Sequence, residues 1–338
     1  MIVSENSETH IDDIDESLSS SPTDAGMQDR GRLTVTDSDV RSLYLDLLRR
    51  NLTRYGVDEL EPVGWSLGHP LKVGNLMLVN RRPFDQRKRD LGGDWPAEAE
   101  TMIGMHRLTS LQRCVETVLA EDIPGDLVEC GVWRGGACIL MRAVLAAYGD
   151  ETRCVWLADS FEGLPRPDTA KYKADKEIKV GLAGAALAVP EAEVKANFQR
   201  YGLLDDRVRF LPGWFKDTLP DAPIDRIAVL RLDGDLYEST IQALDALYPR
   251  LSPGGFCIID DYLDIEACRQ AVADYRAKNG ISAEIFEIDE SGPVGSSRRQ
   301  PASAVAGQHG PRTGMKDFVH DRRDLSSGRC GGVLWRKE

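Results

Sequence analysis

The segments VLRLDGDLYEST (residues 229–240) and GGFCIIDDY (residues 254–262) set the architecture of this chain. Each contains an apolar run typical of a buried strand, and each run ends in a pair of aspartates: Asp233 and Asp235, then Asp260 and Asp261. We expect the four carboxylates to gather at one edge of a sheet. Crowded carboxylates repel each other in a cleft of low dielectric, and a hard divalent cation such as Mg²⁺ prefers such oxygen ligands. The two segments therefore predict a magnesium site.

Short apolar runs alternate with helical patterns from Gly125 onward. The predicted strands are Leu127–Cys130, Cys154–Ala158, Val208–Leu211, Ile227–Leu232, Gly255–Ile259, Glu284–Ile288 and a last strand within residues 331–337. The predicted helices are Gly136–Tyr148, Glu191–Tyr201, Leu236–Tyr248 and Ile265–Asn279. This alternation predicts an α/β fold with a doubly wound, mostly parallel, Rossmann-like sheet. The ligands of such sheets bind beyond the carboxyl ends of the strands, where the strand order reverses.

The chain before this region divides into two parts. Residues 1–36 are rich in Ser, Asp, Glu and Thr, which predicts a disordered acidic tail. Residues 37–124 are predicted to form a helical lid region. It contains an amphipathic helix with Asp39 as N-cap that ends before Gly56, followed by helical structure over Ala97–Ala120 in one or two pieces.

Residues 125–338 form the predicted main domain, which contains one irregular stretch. Residues 291–330 lie between the last two predicted strands, where a short hairpin turn would be expected. Their high content of Gly, Ser, Pro and Arg offers little apolar surface to bury, so this insertion is predicted to be a flexible loop.

The composition excludes several classes of protein. The chain has 338 residues, of which 42% are apolar and 29% charged, as in ordinary globular proteins. No apolar run approaches the roughly 18 to 20 residues of a membrane helix, and the acidic amino terminus is unlike a signal peptide. A cytoplasmic protein without a membrane partner is therefore predicted. A net charge of −13 without a basic stripe argues against nucleic acid as a partner. The seven cysteines lack C-x-x-C spacing and predict reduced, buried thiols.

A glycine-rich turn follows the first predicted strand of the domain, in VECGVWRGGAC (128–138). Gly131, Gly135 and Gly136 would let the backbone approach a ligand at a helix amino terminus, where unpaired N–H groups favour a carboxylate. Trp133 stands where the dinucleotide pattern G-x-G-x-x-G requires its second glycine, which disfavours a pyrophosphate.

Two carboxylates extend this predicted ligand site. Glu129 precedes the glycine-rich turn and could accept an ammonium group. Asp159 ends the next strand, where nucleoside-binding folds keep an acceptor for the ribose hydroxyls. An ammonium acceptor, a carboxylate cradle and a ribose acceptor together favour S-adenosylmethionine over a nicotinamide dinucleotide.

Five motifs in the same order resemble those of the macrocin O-methyltransferase family, whose members methylate sugar or phenolic hydroxyls on antibiotic scaffolds. They are VECGVWRGGAC (128–138), LADSFEGLP (157–165), GWFKDTLP (213–220), LRLDGDLYEST (230–240) and SPGGFCIIDDY (252–262). The resemblance covers roughly residues 43–288 and resumes at 332–337. It implies a class I methyltransferase fold that uses S-adenosylmethionine and Mg²⁺ on a small-molecule acceptor, a glycosylated or phenolic natural product.

The resemblance also implies roles for individual residues. Asp233, Asp260 and Asp261 would hold the metal, and Asp235 would be the general base that takes the proton of the acceptor hydroxyl. The residues implied to line the cofactor pocket are Glu129, Gly131, Trp133, Arg134, Gly135, Asp159, Ser160, Gly213, Trp214 and Phe215. Segments around Leu43–Arg54 and Met102–Arg107 would cover the cleft. A homo-oligomer is compatible with the sequence.

Several residues also have structural interpretations. Asp235 could cap the helix predicted from Leu236, and Asp260 and Asp261 could be solvated loop residues. Asp159 could have a helix-cap or turn role, and Trp214 could be a core aromatic rather than an adenine wall. His69 and His106 could assist catalysis, but a lone histidine is more often a structural hydrogen-bonding residue. The basic residues of RRPFDQRKRD (81–90) predict a solvated surface or a mobile flap.

Two other functions stay open on the sequence. A dinucleotide-dependent oxidoreductase is disfavoured by Trp133 and by the predicted metal cluster. A non-catalytic ligand-binding or scaffold protein on the same fold is disfavoured by the presence of all four aspartates.

Overall fold

The computed structural model describes residues 36–62, 72–73, 76–178, 187–288 and 331–338. The predicted acidic tail up to residue 35, the predicted insertion and His69 lie outside the described residues. Within them, none of the helices has the length and apolar content required to cross a bilayer.

A seven-stranded sheet forms the centre of the fold. Its strands are β1 (Asp126–Cys130), β2 (Val155–Asp159), β3 (Val208–Pro212), β4 (Ile227–Leu232), β5 (Leu251–Ile259), β6 (Phe286–Glu287) and β7 (Val333–Arg336). The strand order is β6-β7-β5-β4-β1-β2-β3. Strands β1 to β5 are parallel, whereas β7 is antiparallel to β5 and β6 is antiparallel to β7. The predicted doubly wound, mostly parallel sheet is confirmed, with an antiparallel edge.

The strand order reverses between β1 and β4. From β1 the chain proceeds outward through β2 and β3, and it then returns to β4 on the other side of β1. All six residues of β4 are buried, as are four of the five in β1, because helices cover both faces of the sheet. A crevice at the carboxyl ends of β1 and β4 is therefore the expected place for a ligand.

Eight α-helices lie in the described part of the chain. They are α1 (Asp37–Leu52), α2 (Gln86–Leu91), α3 (Gly104–Ala120), α4 (Gly136–Ala147), α5 (Glu191–Arg200), α6 (Phe215–Thr218), α7 (Tyr237–Leu247) and α8 (Glu266–Lys278). A 3₁₀ helix spans Lys173–Glu177. The predicted bounds of α4, α5, α7 and α8 are confirmed to within one residue at each end.

Helix α1 begins earlier than its sequence pattern predicts, so the assignment of Asp39 as N-cap is wrong. Thr36 is the N-cap: its hydroxyl accepts the backbone N–H of Asp39, and the Asp39 carboxylate accepts the backbone N–H of Thr36 at 3.0 Å. This reciprocal arrangement satisfies two N–H groups at once. Leu45, Leu48 and Leu52 pack α1 into the same core as α3 and α4.

The prediction of helix over Ala97–Ala120 is wrong for its first part, because α3 begins only at Gly104. The backbone φ of Gly104 is +80°, a left-handed conformation that a helix cannot run through. A Cβ atom at this position would overlap the backbone nitrogen of Gly92, so the close approach of two chain segments requires glycine here.

The expectation of a solvated surface at residues 81–90 is wrong for Arg89, which is 2% exposed. Its Nε donates to both carboxylate oxygens of Asp94, at 3.1 and 3.0 Å, and its Nη2 donates to Glu59 at 3.2 Å. Its Nη1 donates to the backbone oxygens of Thr53 and Arg54. One guanidinium thus fastens α2 to the end of α1 and to the chain that follows it.

We expect Arg89→Met to lower the free energy of unfolding by about 1–3 kcal/mol, because it leaves two half-buried carboxylates and two backbone carbonyl groups without their donor. The matched control is Lys88→Met on the same helix, where the side chain is exposed. This control should change the free energy by no more than about 0.5 kcal/mol. Urea denaturation of both variants measures the difference, and equal values would contradict the structural role of Arg89.

Candidate active site

A cavity of about 370 Å³ opens at the carboxyl ends of the central strands, where the order of the sheet reverses. Its size is typical of a small-molecule site. All of the predicted site residues line it except Arg134 and Gly135. Those that do are Glu129, Gly131, Trp133, Asp159, Ser160, Gly213, Trp214, Phe215, Asp233, Asp235, Asp260 and Asp261.

The predicted gathering of carboxylates is present in the structure. Asp233, Asp260 and Asp261 each place one oxygen so that the three atoms lie within 4.8 Å of one another. Asp235 is adjacent, because its backbone N–H donates to Asp261 at 3.2 Å. Three carboxylate oxygens at this separation form a donor set that suits a hard divalent cation.

Two buried arginines stand behind this cluster, where the sequence interpretation did not place them. Arg231 of β4 is 2% exposed and donates to Glu129, Asp233 and Asp260. Arg107 of α3 donates to the other oxygen of Asp260, and its Nε donates to the backbone oxygen of Ile103 at 2.7 Å. A charged residue within the apolar run IAVLRL (227–232) was the signal that could have identified Arg231.

The arginines neutralise only part of the negative charge of the cluster. Burial raises the pKa of Asp261 well above its usual value, and the neighbouring carboxylates of Asp235, Asp233 and Asp260 raise it further. Burial, together with Asp260, also raises the pKa of Asp233, against the opposing effect of Arg231. A dication beside these oxygens would relieve the repulsion.

Glu129 connects this cluster to the glycine-rich turn. Its Oε2 accepts the Cys138 thiol at 2.7 Å, and its Oε1 accepts from Arg231. Burial raises the pKa of Glu129 to about 7 in spite of this ion pair. Burial alone would lower the pKa of Arg231, yet the surrounding carboxylates hold it well above its usual value. Both pKa values are raised because one guanidinium is shared among three carboxylates: together they stabilise its charge, but it does not fully compensate the burial of Glu129.

The glycine-rich turn differs from the expected cradle of unpaired N–H groups. Four of its N–H groups have acceptors within the protein: Gly131 with Ala158 O, Val132 with Asp159 Oδ2, Gly135 with Val132 O and Gly136 with Glu100 O. The expectation that these groups are unpaired is therefore wrong. Gly131 has a φ of +87°, and a Cβ atom there would overlap the backbone oxygen of Asp233. This glycine lets the turn pack against the end of β4.

Arg134 and Gly135, which are also predicted as cofactor-pocket residues, are not among the residues that line the cavity. The Arg134 guanidinium lies 4.3 Å from the centre of the Trp133 ring and donates to the backbone oxygens of Ala97 and Ala99, at 2.6 and 2.9 Å. A Cβ atom on Gly135 would lie 2.8 Å from the side chain of Val194. These two residues hold neighbouring segments against the turn.

Asp159 combines the predicted turn role with a position in the cavity wall. Its two oxygens accept the backbone N–H groups of Val132 and Phe161, at 2.7 and 2.8 Å. The backbone N–H of Trp133 and the Ser160 hydroxyl also interact with this carboxylate, so much of its accepting capacity is already used within the protein. Ser160 closes the next turn, since its hydroxyl donates to the backbone oxygen of Gly163 at 2.8 Å.

The alternative interpretation of Asp235 as a helix cap is wrong. The N-cap of α7 is Leu236, and the first backbone N–H groups of the helix donate to the remote carboxylate of Asp175. Asp235 has a φ of +57° and lines the cavity. Trp214 is half-buried in the cavity wall at the start of α6, which favours the wall over the core interpretation.

The predicted cover of the cleft is present in part. Met102, Ile103 and Arg107 line the cavity, whereas no residue of α1 does, because that helix packs into the core. His106 is not among the lining residues in the described part of the chain. Lining residues that the sequence interpretation did not identify include Trp95, Leu164, Pro165, Arg166, Leu187, Glu238 and Gln242.

Comparison with known proteins gives consistent matches. The pattern of the family described as macrocin-O-methyltransferase (TylF) matches residues 41–294. A Streptomyces olivaceus protein named 8-demethyl-8-(2,3-dimethoxy-alpha-L-rhamnosyl)-tetracenomycin-C 4'-O-methyltransferase is 56% identical over 254 residues, 75% of this chain and 92% of that protein. The Micromonospora griseorubida mycinamicin III 3''-O-methyltransferase is 50% identical over 74% of this chain and 94% of its own.

A solved structure is similar over a longer part of the chain. The structure of the O-methyltransferase NovP matches with a TM-score of 0.68 and 41% sequence identity. The match covers 88% of this chain and 99% of that one. The fold derived from the strand order is thus shared with a solved O-methyltransferase.

We expect the substitution Glu129→Gln to change how stability depends on pH. The pKa of Glu129 is about 7 in the folded protein against an ordinary 4.5, so its contribution to wild-type stability is present below pH 4.5 and lost as the pH rises through 7. The Gln side chain does not titrate, so the variant does not lose this stability as the pH rises. Its free energy of unfolding should rise relative to the wild type between pH 5 and 8, by at most about 3 kcal/mol.

Chemical denaturation of both proteins in a chelating buffer measures this difference. The variant also loses the charge that faces Arg231, so its absolute stability is not the criterion. Parallel pH profiles for the two proteins would contradict the raised pKa of Glu129.

Proposed function

This chain belongs to the macrocin O-methyltransferase family and is an O-methyltransferase, and from this premise we propose its cofactors and its substrate class. It transfers the methyl group of S-adenosylmethionine to a hydroxyl of a glycosylated or phenolic natural product, with Mg²⁺ held by Asp233, Asp260 and Asp261. The observation that carries the proposal is the set of three carboxylate oxygens within 4.8 Å of one another, beside Asp235. Family membership decides against the oxidoreductase and the non-catalytic scaffold.

The charge of the cavity supports both cofactors. The methyl donor carries a sulfonium and an ammonium group, and Mg²⁺ is a dication, so both suit a site in which carboxylates outnumber the guanidinium groups of Arg107 and Arg231. The proposed donor pocket is formed by Glu129, Gly131, Trp133, Asp159, Ser160, Gly213, Trp214 and Phe215. Arg134 and Gly135 support this pocket from outside.

The relatives support the proposed acceptor class. One of them is named for a tetracenomycin that carries a dimethoxy-rhamnosyl group, and the other for mycinamicin III. We extend from these names to a role in antibiotic biosynthesis, with a deoxysugar or phenolic hydroxyl as the acceptor. A cytoplasmic location and the absence of nucleic-acid and membrane partners remain predictions from the composition.

The residues of this chain have separate tasks in the proposed reaction. When bound, Mg²⁺ lowers the pKa of an acceptor hydroxyl and S-adenosylmethionine supplies the methyl group. The Asp235 carboxylate accepts the hydroxyl proton. Arg107 and Arg231 hold the Asp260 carboxylate from both of its oxygens, so this side chain keeps one orientation. Met102 and Ile103 line the cavity, where their apolar side chains would limit the access of water.

Methyl transfer should require the metal, so exhaustive chelation should abolish it and Mg²⁺ should restore it. Asp261→Asn should weaken Mg²⁺ binding, measured by calorimetry, by about tenfold or more, since even the loss of an outer-shell partner has an effect of 10–100-fold. Because other carboxylates crowd Asp261, the variant should be at least as stable as the wild type in chelator. Retained stability would show that the weaker Mg²⁺ binding comes from the loss of a ligand and not from unfolding.

The control for this experiment is Asp221→Asn, which changes an exposed carboxylate away from the cavity. It should bind Mg²⁺ and transfer methyl groups as the wild type does. Activity that survives exhaustive chelation would refute the proposed requirement for Mg²⁺.

The substitution Asp235→Asn tests the proposed base. Asn adopts the left-handed backbone conformation of this position readily but cannot accept a proton, so the fold should be retained. We expect kcat to fall by about 10² to 10⁴-fold. Binding of Mg²⁺ and of S-adenosylhomocysteine, measured by calorimetry, should be unchanged. Turnover close to that of the wild type would exclude Asp235 as the base.

A further inference from the structure

The first turn of α7 is capped by a residue that is remote in the sequence. The N-cap position is occupied by Leu236, a buried apolar side chain that cannot accept a hydrogen bond. Asp175 takes this role: its Oδ1 accepts the N–H of Tyr237 at 2.7 Å, and its Oδ2 accepts the N–H of Glu238 at 2.9 Å. A polar side chain at position 236 would cap the helix locally. The cap from Asp175 instead joins the helix to another segment.

The same two segments are joined by further contacts. The Glu238 carboxylate accepts the backbone N–H of Asp168 at 2.8 Å, and the ring centres of Tyr172 and Tyr237 lie 5.9 Å apart. Residues 168–177, here named the cap segment, are therefore fastened to the first turn of α7 at several points. Both sides of this junction extend to the cavity, since residues 163–166 upstream of the cap segment and Glu238 of α7 line it.

The position of the first turn of α7 determines where Asp235 lies. Asp235 immediately precedes Leu236, and its φ of +57° is a left-handed conformation that aspartate tolerates better than most residues and that contacts on both sides hold here. On one side the backbone N–H of Asp235 is bound to Asp261 at 3.2 Å. On the other side the chain enters the turn that Asp175 caps. A displacement of this turn would move the Asp235 carboxylate.

We infer that Asp175 is a positioning residue for methyl transfer, which holds Asp235 and the cavity wall at Glu238 in place through the first turn of α7. The inference rests on the proposed function, in which Asp235 accepts the acceptor's proton. Asp175 is fully buried and is not one of the residues that line the cavity in the described chain. Its effect should therefore fall on the chemical step, where a displacement of about 1 Å reduces the rate by up to about 10²-fold.

The substitutions Asp175→Ala and Asp175→Asn test this role at a temperature where circular dichroism shows both variants to be folded. We expect Asp175→Ala to lower kcat by about 10 to 100-fold. The dissociation constant of S-adenosylhomocysteine, measured by calorimetry, should stay within about twofold of the wild-type value. The proposed donor-pocket residues lie at the ends of β1, β2 and β3, whereas α7 follows β4. Asp175→Asn should retain an intermediate kcat, since its amide oxygen can accept one of the two N–H groups. The control Asp225→Ala, at an exposed position, should behave as the wild type.

A thermodynamic cycle with Asp235→Asn decides between positioning and a purely structural role. If Asp175 acts through Asp235, adding Asp175→Ala to the Asp235→Asn variant should reduce kcat little further. A full additive loss, or a wild-type kcat in folded Asp175→Ala, would overturn the inference while leaving the proposed base intact. If Asp175→Ala does not fold, Asp175→Asn enters the same cycle. Wild-type turnover in Asp235→Asn alone would refute the base, and the inference with it.

Discussion

The buried guanidinium of Arg231 is the constraint on which the site depends. A single charge in the middle of a sheet is strongly unfavourable unless partners compensate it, and crowded carboxylates are unfavourable for the same reason. The parallel register places Glu129 of β1 beside Arg231 of β4, and Asp260 follows β5 on the other side. Each group makes the burial of the others tolerable, so the strand register and the charge balance of the site form one constraint.

The amino-terminal part of the chain completes this arrangement. Arg107 of α3 reaches Asp260, and Arg134 of the glycine-rich turn binds the carbonyls of Ala97 and Ala99. The backbone oxygen of Glu100 accepts the N–H of Gly136 at 3.0 Å. The backbone oxygens of Ala97, Ala99 and Glu100 therefore bond to the turn and to the start of α4, where a helix over this segment would use them for its own hydrogen bonds. The segment that lines the cavity on this side thus also supplies Arg107, which binds the Asp260 carboxylate.

Patterns that depend on near neighbours were predictable. Strands such as Ile227–Leu232 and helices such as α8 follow from apolar periodicity, and the clustering of the four aspartates follows from the rule that parallel strands end at one edge. One error is local: the pattern assigns Asp39 as the cap, whereas its carboxylate is the reciprocal partner of the N-cap Thr36, three residues before it. Other errors concern partners that are distant in sequence. The sequence places Arg89 at the surface because most of its partners come from other segments.

The sequence by itself determined the order of the strands and helices, the carboxylates at the sheet edge and the resemblance to an O-methyltransferase family, because each of these depends on residue types at short, fixed spacings. Only the tertiary structure decided which groups satisfy those carboxylates, why Asp235 is not a helix cap and which N–H groups of the glycine-rich turn already have acceptors. Asp175 reaches α7 across 62 residues and Arg107 reaches Asp260 across 153. The distance between two side chains in space is set by packing, and separation along the chain does not encode it.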